Sequence, residues 1–391
     1  MKNKVLIYEF QDIRFASRAR KEASSLAKIY DVELIGFNRE LSKKRITKND
    51  NLTIVEFPIL YNNSRSFLTK VLNIFFTNFT IGRYIIKTKA DIYLMHNLKL
   101  FYPSIIAKFV NGSKIVYDAH ELHMAKRPNK TFKQKILTKY DILKEKYLIR
   151  ISSLIIQASK QRAIYFSEFY RTKEPLVIEN FANYVNLVNF EGLRIKDFLG
   201  LKDFNQIIIF TGFISIGGNQ RIDKVIQSLV YLDKNVHFCV LGFGTDGIKE
   251  ELKMIAQKHG VSTRFHFIPP VLSDEVVSYI SQADVAVIPI YATSLNSRHS
   301  ALNKVSQSLM AGLPLACSNY ENLLEVAQNN NVGTVGQVFE VNQPESIAEA
   351  ISMCLKHKNE YSKNALELAK YYFNWESQED KLLSEFNKIL K

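Results

Sequence analysis

The chain has 391 residues, 47% of them apolar, and 52 lysines and arginines against 38 acids give it a net charge of +14. That length exceeds what one hydrophobic core usually serves, so two domains of roughly 180 residues are expected. No stretch approaches the roughly 18 uninterrupted apolar residues of a membrane span, and three scattered cysteines, Cys239, Cys317 and Cys354, argue against a disulfide scaffold or a cysteine-bound metal. With no leader-type cleavage pattern before the first strand, the expectation is a cytoplasmic protein.

In chain order, VLIY (5–8), VELIGF (32–37), LTIVEF (52–57), DIYLMH (91–96), KIVYDAH (114–120), SLIIQAS (153–159) and LVIENF (176–181) read as buried strands separated by helix-length segments. That rhythm means βαβ units and a parallel sheet, with ligands beyond the carboxyl ends of the strands. The stretch 183–203 has no clear period and reads as a link. IIIFTG (207–212), VHFCVLG (236–242), RFHFIPP (264–270), DVAVIPI (284–290) and LPLACS (313–318) then restart the pattern. The fold class is therefore α/β, two Rossmann-like domains facing across a cleft. Residues 1–185 form an acceptor domain and residues 186–372 a donor domain. The final 373–391 form a helix with Leu382, Leu383, Phe386 and Leu390 at helical spacing, expected to pack back on the first domain.

The charge is uneven. Residues 1–190 hold 33 basic against 16 acidic side chains and residues 191–391 hold 19 against 22, so the first half is expected to meet something anionic. Two basic and apolar stretches carry much of this, residues 64–89 and residues 126–150, and both suit an anionic bilayer surface at the inner face of the plasma membrane. The competing reading is core helices with wet basic faces. Lys126, Arg127 and Lys130 are alternative seats for the diphosphate of a lipid-linked acceptor. Nucleic acid is not expected as a partner, because these segments carry no recognisable reading motif.

Residues 300–314 read as a helix closed by Gly312 and Pro314. Its start offers unpaired N–H groups and partial positive charge, and Asn303 and Lys304 stand there, a natural seat for a diphosphate; Gln307, one turn on, is placed to bond ribose hydroxyls. Gly242, Gly244 and Gly247 spell GxGxxG between a strand and a helix, read here as a tight turn near the donor rather than a dinucleotide site. His96 and His120 end successive strands and are candidate catalytic groups, with Glu121 beside His120. No carboxylate pair of the glycosidase kind emerges.

The segments 12–37, ADIYLMHN, KIVYDAHEL, VLGFGTDGIKEELKMIAQKHG, NKVSQSLMAGLPLACSN and NWESQEDKLL together resemble retaining glycosyltransferase family 4, of the two-domain GT-B fold, over nearly the whole chain. The resemblance implies sugar transfer from a nucleotide-sugar donor to a glycan or lipid-linked acceptor, with retention and without a metal or other cofactor. It implies that His120 contacts the transferred sugar. The turn after Gly212 would hold the leaving diphosphate, and Pro270 would end the strand that reads the base. Several family residues differ here. His299 and Gln307 stand where the family has its glutamate pair, and Phe213 stands where it has an arginine, leaving Arg221 and then Lys224 as substitutes. A catalytically impaired relative that binds glycans or a partner, and a nucleotide-sugar epimerase, are the alternatives.

Overall fold

A computed structural model describes residues 2–58, 76, 79–96, 98, 101–119, 122–125, 131–185, 194–216, 219–272, 275–298 and 302–390. The chain divides into two compact units, Met1–Asn180 with Gln378–Lys391, and Phe181–Ser377.

The first unit is built on an eight-stranded sheet of order β3-β4-β2-β1-β5-β6-β7-β8. Its strands are β1 (Lys4–Asp12), β2 (Asp31–Asn38), β3 (Arg45–Asn49), β4 (Leu52–Pro58), β5 (Ile92–Met95), β6 (Lys114–Asp118), β7 (Ser152–Gln157) and β8 (Leu176–Val177). All neighbours pair in parallel except β3 with β4. Leu6 and Tyr8 of β1 enter one core with Tyr93, Ile115 and Tyr117, as the two-residue period of a strand requires. Thr131 begins the helix Phe132–Ile151 with a reciprocal capping box to Gln134, and Ser159 caps the helix Lys160–Tyr170.

The second unit has a parallel six-stranded sheet of order β11-β10-β9-β12-β13-β16, from β9 (Gln206–Thr211), β10 (Val236–Leu241), β11 (Phe265–Ile268), β12 (Val285–Ile288), β13 (Leu315–Ser318) and β16 (Gly336–Phe339). A small antiparallel pair joins β14 (Gln328–Asn329) to β15 (Gly333–Thr334). Along β9, Ile207 and Ile209 enter one core while Ile208 and Phe210 enter the other, so helices cover both faces of the sheet.

Three features depart from the sequence reading. The exposed strand β3 makes the first sheet mixed rather than wholly parallel. The stretch read as a link contains the helix Ile195–Leu199, closed by Gly200 in the left-handed region. Strand β16 also closes an edge of the second sheet without having been read.

Candidate functional site

In the second sheet the chain runs from β9 outward to β10 and β11, then returns to the other side of β9 as β12. The carboxyl ends of β9 and β12 are thus a topological switch point, the usual ligand position in an open parallel sheet. The segments leaving these two strands are tied together. The Arg221 amide donates to Pro289 O at 2.9 Å, the Tyr291 amide to Asn219 O at 2.9 Å, and the Thr293 hydroxyl to Asn219 Oδ1 at 2.7 Å.

Gly212 directly follows β9 at φ 121°, backbone that a side chain would strain. A Cβ there would also stand 2.8 Å from Lys304 Nζ, so the ammonium lies directly on the turn. Lys304 comes from the first turn of the helix Leu302–Met310, whose Val305 and Leu309 are buried and fix its orientation. Its ammonium lies 5.4 Å from the Phe210 ring centroid. Among the described residues no carboxylate lies within ion-pair distance of it. Burial, which disfavours an ammonium, lowers its pKa to about 8. Asn303 and Gln307 are half-buried on the same helix, and Gly312 terminates it at φ 68°.

The other predicted donor residues fall as follows. A Cβ on Gly242 would approach Gly212 O to 1.8 Å, and one on Gly244 would meet Ile214 at 2.9 Å, so both glycines let the turns after β9 and β10 close on each other. Arg221 is committed to the protein: Nε and Nη2 donate to the two Asp223 oxygens, each at 2.9 Å, and Nη1 donates to Asn342. The sequence reading placed Arg221 as the stand-in phosphate ligand; here three of its five N–H donors are engaged by Asp223 and Asn342. Lys224 donates to Gln227 at 3.0 Å. Pro270 is exposed beyond β11. His299 lies outside the described residues.

In the first unit the equivalent switch point is between β1 and β5, and it is filled by buried charge. His96, the residue after β5, places Nε2 2.9 Å from Glu22 and Nδ1 3.1 Å from Asp118, with Glu9 at 3.8 Å. Arg18 enters the same cluster, 2.6 Å from Asp118 and 3.2 Å from Glu22, and donates to Ile178 O at 2.6 Å. Burial alone would lower the His96 pKa, but Glu22 and Asp118 outweigh it and hold the value well above the ordinary one. The imidazole is fully enclosed, so the structure sets His96 among ion-pair partners at the strand ends, whereas its position in the sequence suggested a catalytic group open to a crevice. Glu22, His96 and Asp118 turn potential ligand atoms to within 4.8 Å of one another, the spacing of a metal site, but Arg18 already stands among these carboxylates. His120 and Glu121 lie outside the described residues. Arg18, Glu22 and Asp118 were missed by the sequence reading; the signal available was an i, i+4 charge pair set among Ala19, Ala23 and Leu26 on a buried helix face.

Residues 194–371 match the family model described as glycosyl transferases group 1. No curated sequence matches the chain. Solved structures match it over nearly its whole length. Sucrose-phosphate synthase from Thermosynechococcus elongatus is 12% identical with a TM-score of 0.76, covering 100% of this chain and 99% of that one. A glycosyltransferase from Rickettsia africae is 15% identical with a TM-score of 0.70, covering 100% and 99%. HepE from Anabaena, solved in complex with UDP and glucose, is 13% identical with a TM-score of 0.69, covering 99% and 100%. These likenesses establish the two-domain GT-B fold.

Proposed function

We propose that the chain transfers a sugar from a nucleotide-diphosphate sugar to a glycan or lipid-linked acceptor, with retention at the anomeric carbon. The observation that carries this reading is Lys304, an ammonium with no carboxylate partner among the described residues, resting on the Gly212 turn at the switch point of the segment that matches the group 1 model. As the bond to the sugar breaks, negative charge grows on the departing diphosphate. A fixed cation beside the amides of a helix start stabilises that charge without reorganising. Lys304 and those amides are assigned this work in place of a metal. Asn303 and Gln307 line the same helix turn for the ribose, and the nucleotide base is assigned to the backbone near Pro270. His120 keeps its assignment to the transferred sugar from the family resemblance. HepE was solved with UDP and glucose, which makes uridine nucleotide sugars the first donor class to try.

The test is a panel of nucleotide sugars and acceptors, with nucleotide release and product configuration read by NMR. At least one nucleotide-diphosphate sugar is expected to bind and to release its nucleotide with acceptor present, giving a product of the donor's anomeric configuration. Failure of every nucleotide sugar to bind overturns the reading, and an inverted product overturns retention.

A further inference from the structure

The helix Phe132–Ile151 turns much of its apolar surface outward. Phe132, Ile136, Tyr140, Leu143 and Tyr147 are all exposed, Phe132 to 80% and Leu143 to 64%. At helical spacing these five fall within about 80° of one side. The helix Phe101–Asn111 lies beside it: the Phe101 and Tyr147 rings are 5.9 Å apart, the Tyr102 and Tyr140 hydroxyls bond, and Lys108 Nζ donates to Ile151 O at 2.7 Å. Its own exposed Tyr102, Ile106, Phe109 and Val110, with Phe109 at 72%, continue the apolar surface. Isolated exposed apolar residues need no explanation, but a contiguous aromatic and aliphatic face across two helices does.

The charges bordering that face identify its occupant. Lys135, Lys139 and Lys146 run along one edge of the stripe, and among the described residues none has an acidic partner. The two acids of the helix do not oppose them. Asp141 is paired with Lys144 at 2.8 Å, and Glu145 is buried, accepting the Tyr117 hydroxyl at 2.6 Å. An apolar stripe with lysines along its border matches the interface of an anionic bilayer, where the rings enter the headgroup boundary and the ammoniums meet lipid phosphates. No helix among the described residues is long and apolar enough to cross a membrane, so the geometry describes a surface that lies on lipid.

We propose that this two-helix face docks the protein on an anionic lipid surface. The proposal is independent of the donor chemistry, because it concerns the first unit alone. It is tested by sedimenting the full chain with neutral phosphatidylcholine vesicles and with vesicles containing phosphatidylglycerol. Strong, salt-sensitive binding is expected only to the anionic vesicles. Replacing Lys135, Lys139 and Lys146 by Gln should weaken it about a hundredfold, at about fivefold per lysine. The pair Phe132→Ser and Leu143→Ser should weaken it at least about tenfold. Circular dichroism and melting of both variants are expected to match wild type, since the side chains are exposed. No vesicle binding, equal binding to both vesicle types, or binding unchanged in both variants overturns the proposal. So does a wild-type dimer that the Phe132→Ser and Leu143→Ser pair makes monomeric, because a second copy would then cover the face.

Discussion

Lys304 and His96 are both lysine-or-histidine cations in tight surroundings, yet their environments drive them to opposite ends. Lys304 has no carboxylate partner among the described residues, and burial lowers its pKa to about 8. It is therefore a cation whose charge no described carboxylate neutralises. Lys304→Met should weaken nucleotide-diphosphate binding about 10- to 100-fold, the worth of one charge-assisted hydrogen bond. Wild-type affinity measured by calorimetry should also fall as pH rises through about 8, as the free protein loses that charge. The pKa of His96 is instead raised well above its ordinary value by Glu22 and Asp118, which outweigh burial. Because its folded pKa lies above the unfolded value of about 6.5, its stabilisation is fully present below that pH and disappears as pH climbs through the folded value. His96→Leu should cost about 3–5 kcal/mol in urea unfolding near pH 6, the usual price of orphaning buried charge, and the gap should narrow at alkaline pH. The sequence disclosed Lys304 through its place at a helix start. It misread His96 because a strand-end histidine looks the same whether it faces a crevice or an interior salt bridge; only the residues brought from Arg18, Glu22 and Asp118 decide.

At the scale of elements, the glycines of GFGTDG separate by function. Gly242 and Gly244 sit where the turns after β9 and β10 close together, whereas a Cβ on Gly247 would meet nothing within 4 Å. Gly242→Ala should lower the melting temperature of the second unit sharply, because 1.8 Å from a carbonyl oxygen leaves no room for carbon. Gly247→Ala, within the helix Asp246–Lys258, should match wild type or exceed it slightly, as helix propensity favours alanine. Equal effects of the two would contradict this division. The buried strands were legible because β-branched runs such as IIIF have no other comfortable place. Strand β3 was not, since RITKN is exposed throughout and its pairing with β4 depends on the turn at Asp50, which adopts φ 47°. The partners of Arg221 were equally invisible: Asp223 is near in sequence, but Asn342 is not.

Across the whole molecule, the alternation of strand and helix announced two α/β units, while strand order and switch points came only with pairing. The helix Trp375–Leu390 begins in the second unit, where the Trp375 amide donates to Ala182 O at 2.8 Å, and from Gln378 onward belongs to the first. There Leu382 and Phe386 are fully buried, Asn387 accepts from the Tyr30 hydroxyl at 2.5 Å, and Glu379 pairs with Lys28. Phe386→Ala should cost the first unit about 3–5 kcal/mol. Hydrogen exchange should speed up in β1 and β2 and leave β9 and β10 unchanged; equal acceleration in both units would contradict the division.

A crystal structure with a bound nucleoside diphosphate decides whether the second unit is the donor site. Its phosphates should lie within about 3 Å of Lys304 Nζ and of the amides opening the helix Leu302–Met310. Phosphates bound elsewhere, with Lys304 untouched, would remove the chemical basis assigned here to sugar transfer.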